Sequence, residues 1–487
     1  MTIQHPPRVR IAPSPTGPLH IGTARTGLFN FLFAKKLAGT FVLRIEDTDL
    51  ERSEIRFEND IIEYLRWLGI TWDEGPVRQT ERLDHYEHYL RKLLHEDKAY
   101  YCFCSPEKLE IARQEMVGRG VAPKYAGTCS TLTSADVALR HKEGARSVIR
   151  FRMPSTILQF HDMIRGDVSF DTSLFGDIVI SKDLRTPLYN FAVVVDDYEM
   201  QISHVIRGED HVSNTPKQIV LQRALGFSTP LYAHLPLILD TNRAKLSKRF
   251  NAVSISDYKK TGYLPEALFN FIALLGWHPS EVGTTVNISR HTEIFSRNEL
   301  IHAFDIERVQ KAGAIFDIEK LDWLNAHYIK VCDEERLLAL LSDFAPQAWR
   351  ADPAKFRAVV ALMRERMKRL DEFTEYARFF FEPIAYEPGI LIWKKSDHDA
   401  TKEHLRLLVS LLESLETTSF ATPALLEARV MPFAEARGRG DVLWPMRVAL
   451  SGVEKSPGPF EIATILGKEE TIQRITHAIK VLENLSH

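Results

Sequence analysis

"RIAPSPTGPLHIGTAR", residues 10–25, packs three prolines and two glycines between an apolar run and a helix, with a histidine at the helix mouth. The overlapping "RVRIA" (8–12) is short, β-branched and alternating, which predicts a strand. From Ile21 onward Ala24, Leu28, Leu32 and Leu37 recur at roughly helical spacing, Lys35 and Lys36 fill the last turn, and Gly39 is the expected stop. "TFVLRIE" (40–46) reads as strand again and runs into the acidic "EDTD" (46–49). This is a βαβ unit, and handedness puts its two strands in one parallel sheet. Ligands of open parallel sheets bind beyond the carboxyl ends of the strands, where a helix N-terminus with unpaired N–H groups and about half a positive charge suits phosphate. In that setting Gly22 leaves room for a ligand and His20 can donate to a phosphate oxygen, while the prolines stiffen the turn. Taken alone, H-x-G reads as a Pro/Gly loop carrying a surface histidine.

The rest of the chain extends the pattern. "WLGITWDEGP" (67–76) continues the α/β alternation, and residues from about 90 to 185 change character. There the cysteines cluster, a polar helix is expected over 106–117, and "SVIRFRMPSTILQFHDMIRGDVSFD" (147–171) alternates as antiparallel strands do, which reads as an insertion. Within 190–226 two strand-like runs end in charged residues, and a helix follows with Ser213 or Asn214 as cap and Pro216 in its first turn. Beyond about 330 the pattern is helical almost throughout, as in 355–381.

With 487 residues, 45% hydrophobic and 26% charged, the composition is that of a globular protein of about three domains. No apolar run approaches the roughly 18 residues that span a bilayer, and the N-terminus carries neither a signal-peptide core nor an Arg/Ser-rich leader. Four cysteines argue against disulfide stapling and for a reducing compartment, hence a cytoplasmic protein without membrane contact. The net charge of −3 advertises no nucleic acid, so RNA binding would have to use local basic surfaces.

Two further stretches bear on chemistry. "KLSKR" (245–249) sets two lysines around a serine after the strand-like "HLPLILD", and lysines suit a triphosphate whose charge grows as pyrophosphate leaves. "VIRGED" (205–210) puts Arg207, Glu209 and Asp210 at a strand end. Singly, one reads as a solvated basic loop and the other as a salt-bridged triplet, but all three stretches fall at the same edge of one sheet.

Together "APSPTGPLHIGT" and "KLSKR", around a split nucleotide-binding domain, resemble the class I aminoacyl-tRNA synthetases and more specifically the glutamyl-tRNA synthetases. The resemblance is strong over about 8–280, and "WPMRVALSGVEKSPGPFEIATILGKEETIQRI" (444–475) also looks family-like. It implies an α/β plus all-α chain: a split Rossmann-like parallel-sheet catalytic domain (1–88 and 187–242), an inserted α+β acceptor-binding domain (89–186), a stem-contact region with the KLSKR loop (243–328), and two helical anticodon-binding subdomains (329–395 and 396–487).

The resemblance further implies ATP-dependent ligation of L-glutamate to the 3′ end of tRNA(Glu) through glutamyl-adenylate, with Mg2+ entering on ATP and pyrophosphate leaving. Without a covalent enzyme intermediate, positioning and charge stabilisation must supply the rate. By this resemblance the catalytic residues are His20, Lys245 and Lys248. ATP is met by His20, Gly22, Asp210, Ile238, Lys245, Ser247 and Lys248, and glutamate by Arg10, Ser14, Glu46, Tyr189 and Arg207. A dicarboxylic substrate wants an arginine, and an acid such as Glu46 can meet its ammonium. In "SKDLRTPLYN" (181–190), Leu188 stands where relatives usually have threonine. Glutamate activation that needs bound tRNA, and a monomer, are also implied, and tRNA(Gln) is left open as a second acceptor.

Cys102, Cys104 and Cys129 provide three of the four ligands that zinc wants. Thr131 occupies the position where some relatives place a histidine, and Tyr125 stands where a shorter, tRNA-modifying relative uses a tyrosine as fourth ligand. One structural zinc and three metal-free thiols are the two readings. "RERMKRL" (364–370) and "RGRGD" (437–441) are candidate RNA patches or simply solvated faces. A non-catalytic RNA-binding descendant of a synthetase would have no reason to keep His20, Lys245 and Lys248. The short tRNA-modifying relative lacks the helical half.

Overall fold

The computed structural model describes residues 5–246, 254–279, 293–394 and 396–484, and divides into two compact units. The first comprises residues 1–260 with 265–321 and the second 261–264 with 322–487.

The first unit opens with β1 (Arg8–Ile11), α1 (Ile21–Lys36) and β2 (Thr40–Ile45), and β1 and β2 pair in parallel from Arg8 against Thr40 to Ile11 against Leu43. Both strands are buried almost throughout, as expected where helices cover both faces of a parallel sheet. Helix α1 is buried well beyond the stripe that its spacing suggests: Phe29, Phe31 and Phe33 are enclosed along with Ala24, Leu28 and Leu32. It ends as Ala38 takes the left-handed conformation at φ 51°, one residue before the expected stop. Gly39 is required for a different reason, since a Cβ there would collide with the Pro7 carbonyl.

After α2 (Ile55–Trp67), β3 (Glu74–Arg78) adds to β2 in parallel. There follow α3 (Leu83–His95), β4 (Ala99–Cys102), α4 (Pro106–Gly118), α5 (Ser134–Lys142) and β5 (Val148–Phe151). Next come β6 (Ile157–Asp162), β7 (Gly166–Asp171) and β8 (Ile178–Ser181). Strands β4, β5 and β8 form an antiparallel sheet of their own. The β6–β7 hairpin is antiparallel too, but it belongs to a different sheet, where β6 pairs in parallel with β10 (Leu231–Leu235). That sheet runs β7-β6-β10-β9, with β9 at His204–Gly208. Strand β9 lies beside β1, where Ser203 N donates to Arg8 O at 2.9 Å.

One expectation fails. The first of the two strand-like runs is a helix, α6 (Tyr189–Glu199), and only the second, β9, is a strand. Phe191 to Asp197 are all buried, so α6 has no polar face to impose a 3.6-residue period, and an all-apolar run cannot distinguish buried helix from buried strand. Leu188 occupies the N-cap of α6 without a side-chain cap bond. Helix α7 (Thr215–Leu225) starts as expected, with Asn214 at the N-cap and Pro216 in the first turn, although Asn214 makes no cap bond. The unit closes with β11 (Ile238–Leu239), α8 (Ile255–Lys260), α9 (Pro265–Ala273), α10 (Arg297–Ala303) and β12 (Ala314–Ile315), which pairs with β11.

The second unit is helical, from the body of α11 (Ile318–Val331) through α12 (Glu334–Leu341), α13 (Pro353–Met363), α14 (Glu372–Phe381), α15 (His398–Ser414), α16 (Pro423–Arg437), α17 (Arg439–Ser451) and α18 (Pro459–Glu483). Helices α15, α17 and α18 pack together, and Leu405, Leu408 and Leu412 of α15, Met446, Ala449 and Leu450 of α17 and Ile475, Ala478 and Leu482 of α18 are all buried, at the three- and four-residue spacing of packed helices. Residues 355–381 are two helices, because 364–371 form a turn. Within it Arg364 donates to the carbonyls of Ile329, Lys330 and Cys332, closing the C-terminus of α11, so one cation of the candidate RNA patch is structural. Arg366 and Lys368 remain exposed.

Candidate active site

The opening turn is pinned at both ends. Pro13 O accepts from Glu46 N at 3.0 Å and Pro15 O from Glu54 N at 3.0 Å, while Leu19 N donates to Asp60 at 2.7 Å. His20 is the N-cap of α1, and its Nδ1 accepts from Gly22 N (3.1 Å) and Thr23 N (3.3 Å). With Nδ1 so used, the ring proton sits on Nε2, 2.9 Å from Thr23 Oγ1. A Cβ at Gly22 would stand 3.1 Å from the imidazole, so this glycine protects the cap as well as the space beside it.

A cavity of about 610 Å³ opens at the carboxyl ends of the parallel strands. Arg10, Ser14, His20, Gly22 and Glu46 line it from the first βαβ unit. Tyr189, Arg207, Asp210, Ile238 and Lys245 line it from the second half of the sheet. Every residue expected from sequence to meet glutamate or ATP that falls among the described residues therefore lines one cavity. Ser247 and Lys248 lie outside the described residues. Lys245 is exposed and held against β11 by a turn in which Leu246 N donates to Ile238 O and Asp240 Oδ1 accepts from Asn242 N and Ala244 N.

Beneath the cavity floor lies a buried charge network that sequence reasoning missed. Asp197 accepts from Arg10 Nε at 3.0 Å and from Arg44 Nη1 at 2.7 Å, and Arg44 Nη2 reaches Glu46 at 3.1 Å. Arg44 is fully buried and Arg10 only 3% exposed. Asp196 takes Arg82, Gln79 and Tyr86 at 2.7–2.8 Å. Burial pushes the Asp197 carboxyl up, but Arg10 and Arg44 outweigh it and hold the group below the usual carboxylate range. For Glu46 burial wins and its pKa rises, in spite of Arg44 and Arg10. An incoming ammonium would therefore find a carboxylate that gains by being paired.

A second histidine and a further arginine complete the walls. Tyr189 OH lies 3.0 Å from His211 Nδ1, and burial pulls His211 down to about 4, with Arg207 adding to the effect. Arg25, on the helical face after Gly22, donates to the carbonyls of Pro236 and Leu275, and burial lowers it to about 10. Its signal lay in the opening motif, five residues after His20; Arg44 and Asp197 carried no local signal.

Away from the cavity, the three thiols of Cys102, Cys104 and Cys129 lie within 4.8 Å of one another, and Cys104 Sγ is 3.6 Å from Cys129 Sγ. Tyr125 OH is 3.3 Å from Cys102 Sγ and 3.6 Å from Cys104 Sγ. Sulfurs bound at about 2.3 Å in a tetrahedron stand roughly 3.8 Å apart, so the donor set fits zinc with little rearrangement.

Residues 7–323 match the family described as "tRNA synthetases class I (E and Q), catalytic domain", and residues 336–479 match an anticodon binding domain. The chain is 42% identical to a glutamate–tRNA ligase of Heliobacterium modesticaldum, over 97% of each protein. It is also 42% identical to glutamate–tRNA ligase 1 of Caldanaerobacter subterraneus, over 98% of each. Among solved structures, a glutamate tRNA ligase of Elizabethkingia meningosepticum in complex with its amino acid superposes with a TM-score of 0.85 at 34% identity, covering 98% of this chain and all of that one. The chain belongs to the glutamate–tRNA ligase family of class I aminoacyl-tRNA synthetases.

Proposed function

We propose that this protein activates L-glutamate with ATP and transfers it to the 3′ end of tRNA(Glu), and that the cavity at the mouth of α1 holds both small substrates. The observation that carries this reading is the pairing, in one cavity, of two buried arginines with a buried acid: Arg10 and Arg207 suit carboxylate, and Glu46 suits ammonium. Arg10 and Arg207, with Tyr189, take the side-chain carboxylate of glutamate, while Glu46 and the exposed Ser14 face its α-amino end. His20, Gly22, Asp210, Ile238 and Lys245 take MgATP, with Ser247 and Lys248 added from sequence. The α-carboxylate attacks the α-phosphorus, and His20, the α1 N-terminus and the lysines stabilise the charge that grows on the phosphates.

In this reading the region around β4, β5 and β8 (within 89–186) holds the acceptor end and the helical unit reads the anticodon arm. The protein acts as a cytoplasmic monomer, and four free cysteines suit a reducing compartment. Cys102, Cys104, Cys129 and Tyr125 would hold one structural zinc. Helices α4 and α5 bury none of their residues, so that region has little core of its own and gains most from such a staple. Parallel aminoacylation of purified tRNA(Glu) and tRNA(Gln) with labelled glutamate tests the proposal. Charging of tRNA(Glu) is the expected result, charging of neither overturns it, and the tRNA(Gln) arm decides whether that tRNA is a second acceptor.

A further inference from the structure

Arg207 is 4% exposed and engages two of its three guanidinium nitrogens within the fold. Its Nε donates to His234 Nε2 at 3.2 Å and its Nη2 to Thr215 Oγ1 at 2.7 Å. Its Nη1 is buried with no hydrogen-bond partner among the described residues, and the side chain lines the cavity. A buried N–H donor left open beside a cavity is a receptor for an acceptor atom, here the substrate carboxylate. What holds the guanidinium so that Nη1, and not another edge, is the one left open?

The answer lies across the sheet. In the parallel register of β9 and β10, His234 stands directly opposite Arg207. On the far side of β10, Asp162 of β6 receives the His234 ring, with Nδ1 2.6 Å from Oδ2. His234 and Asp162 are both fully buried. The other carboxylate oxygen of Asp162 accepts from the backbone of Ile164 at 3.0 Å and Arg165 at 2.8 Å, which fixes the carboxylate itself. Burial pushes Asp162 up, but the His234 hydrogen bond and these amides keep it below the usual carboxylate range; burial also lowers His234. An ionised Asp162 accepts from Nδ1–H, so a neutral His234 presents a bare Nε2. That lone pair can accept from Arg207 Nε and from Thr215 Oγ1 at 3.0 Å. The opposite tautomer would set an imidazole N–H against the Arg207 N–H.

We propose that His234, with its tautomer fixed by Asp162, is a positioning residue that orients Arg207 toward the carboxylate of the amino-acid substrate. This rests on the reading of the cavity as the glutamate site. The chain Asp162, His234, Arg207 crosses three adjacent strands, so the orientation is built into the rigid part of the fold rather than a loop. Asp162 comes from the β6–β7 hairpin, so residues between the two halves of the nucleotide-binding sheet shape the amino-acid pocket.

The test combines kinetics with nitrogen-15 NMR of histidine-labelled full-length protein. In the wild type, Nδ1 of His234 is expected protonated and Nε2 unprotonated; the reverse overturns the proposal whether or not any variant folds. His234→Phe keeps the ring volume and removes the acceptor. In ATP–pyrophosphate exchange with tRNA(Glu) present, it should raise KM for glutamate by about 10- to 100-fold, the cost of a slightly misplaced recognition group. KM for ATP should stay within about twofold of the wild-type value, the reach of a pocket change that spares the nucleotide. His234→Gln, which restores an acceptor near Arg207, should recover part of the glutamate loss, and Asp162→Asn should change the His234 nitrogen signature together with glutamate KM. An unchanged glutamate KM, or a parallel rise for both substrates without recovery by Gln, overturns the positioning role. Arg207→Ala separates the two claims: if it leaves glutamate KM unchanged, the cavity reading is wrong even where the His234 tautomer is as stated.

Discussion

Replacing Asp197 by Asn keeps the size of the side chain and removes one charge from beneath the cavity. Asp197 is 5% exposed and lies between Arg10 at 3.0 Å and Arg44 at 2.7 Å, with Arg44 fully buried. At charge-centre separations near 4 Å and an effective dielectric constant of about 20, each pair is worth roughly 4 kcal/mol gross. Most of that gain offsets the cost of burying the three ions, so the pairs are no measure of net stability while intact. Losing the carboxylate is another matter, because it strands two buried guanidinium groups with only Glu46 and Asp196 near Arg44. The expected loss is about 3–5 kcal/mol of unfolding free energy in the first unit.

The pH dependence has a defined sign. Asp197 has a folded pKa below its unfolded value, so its contribution is present in full above the unfolded carboxylate pKa, about 3.9. It is lost as pH falls toward the folded value. Denaturant titration at pH 7 and at pH 4 reads both effects: the variant should be weaker by the stated amount at pH 7, and the difference should shrink at the lower pH. Arg10, freed from its anchor, should also raise KM for glutamate. A loss below about 1 kcal/mol at pH 7, less than a typical buried-pair disruption, would refute the reasoning about this network.

Three further predictions follow from the same geometry. Arg10→Ala should raise glutamate KM strongly while leaving ATP KM nearly unchanged in pyrophosphate exchange; an unchanged glutamate KM removes Arg10 from the pocket. Purified, chelator-free protein should carry one zinc per chain by elemental analysis and Cys129→Ser should lose it, whereas sub-stoichiometric zinc in the wild type rejects the site. Leu188→Thr should supply the side-chain cap that α6 lacks and stabilise the first unit by about 1 kcal/mol, so a melting temperature at or below the wild-type value would show that Leu188 packing matters more.

The first βαβ unit was legible in sequence because its punctuation is local: Pro and Gly in the turn, lysines at the helix end and alternating strand residues each act within a few positions. The residues around the cavity were legible because three motifs fall at the same sheet edge. Helix α6 was misread because burial on every face erases periodicity. Gly39 shows a subtler miss, since it looked like a helix stop and is in fact demanded by the close approach of Pro7. Arg44, Asp197, Asp162 and His234 could not be found because the contacts that give them their roles are distant in sequence, from 27 residues between Arg207 and His234 to 187 between Arg10 and Asp197. Strand register and the packing of α6 against the sheet bring them together.

The central claim is that two arginines and one acid at the mouth of α1 make this cavity a glutamate-activating site. ATP–pyrophosphate exchange with purified protein, tRNA(Glu) and single amino acids tests it most directly. Exchange should depend on L-glutamate and be absent with glutamine or aspartate. Exchange driven by glutamine, or none with glutamate in the presence of tRNA(Glu), would contradict the account.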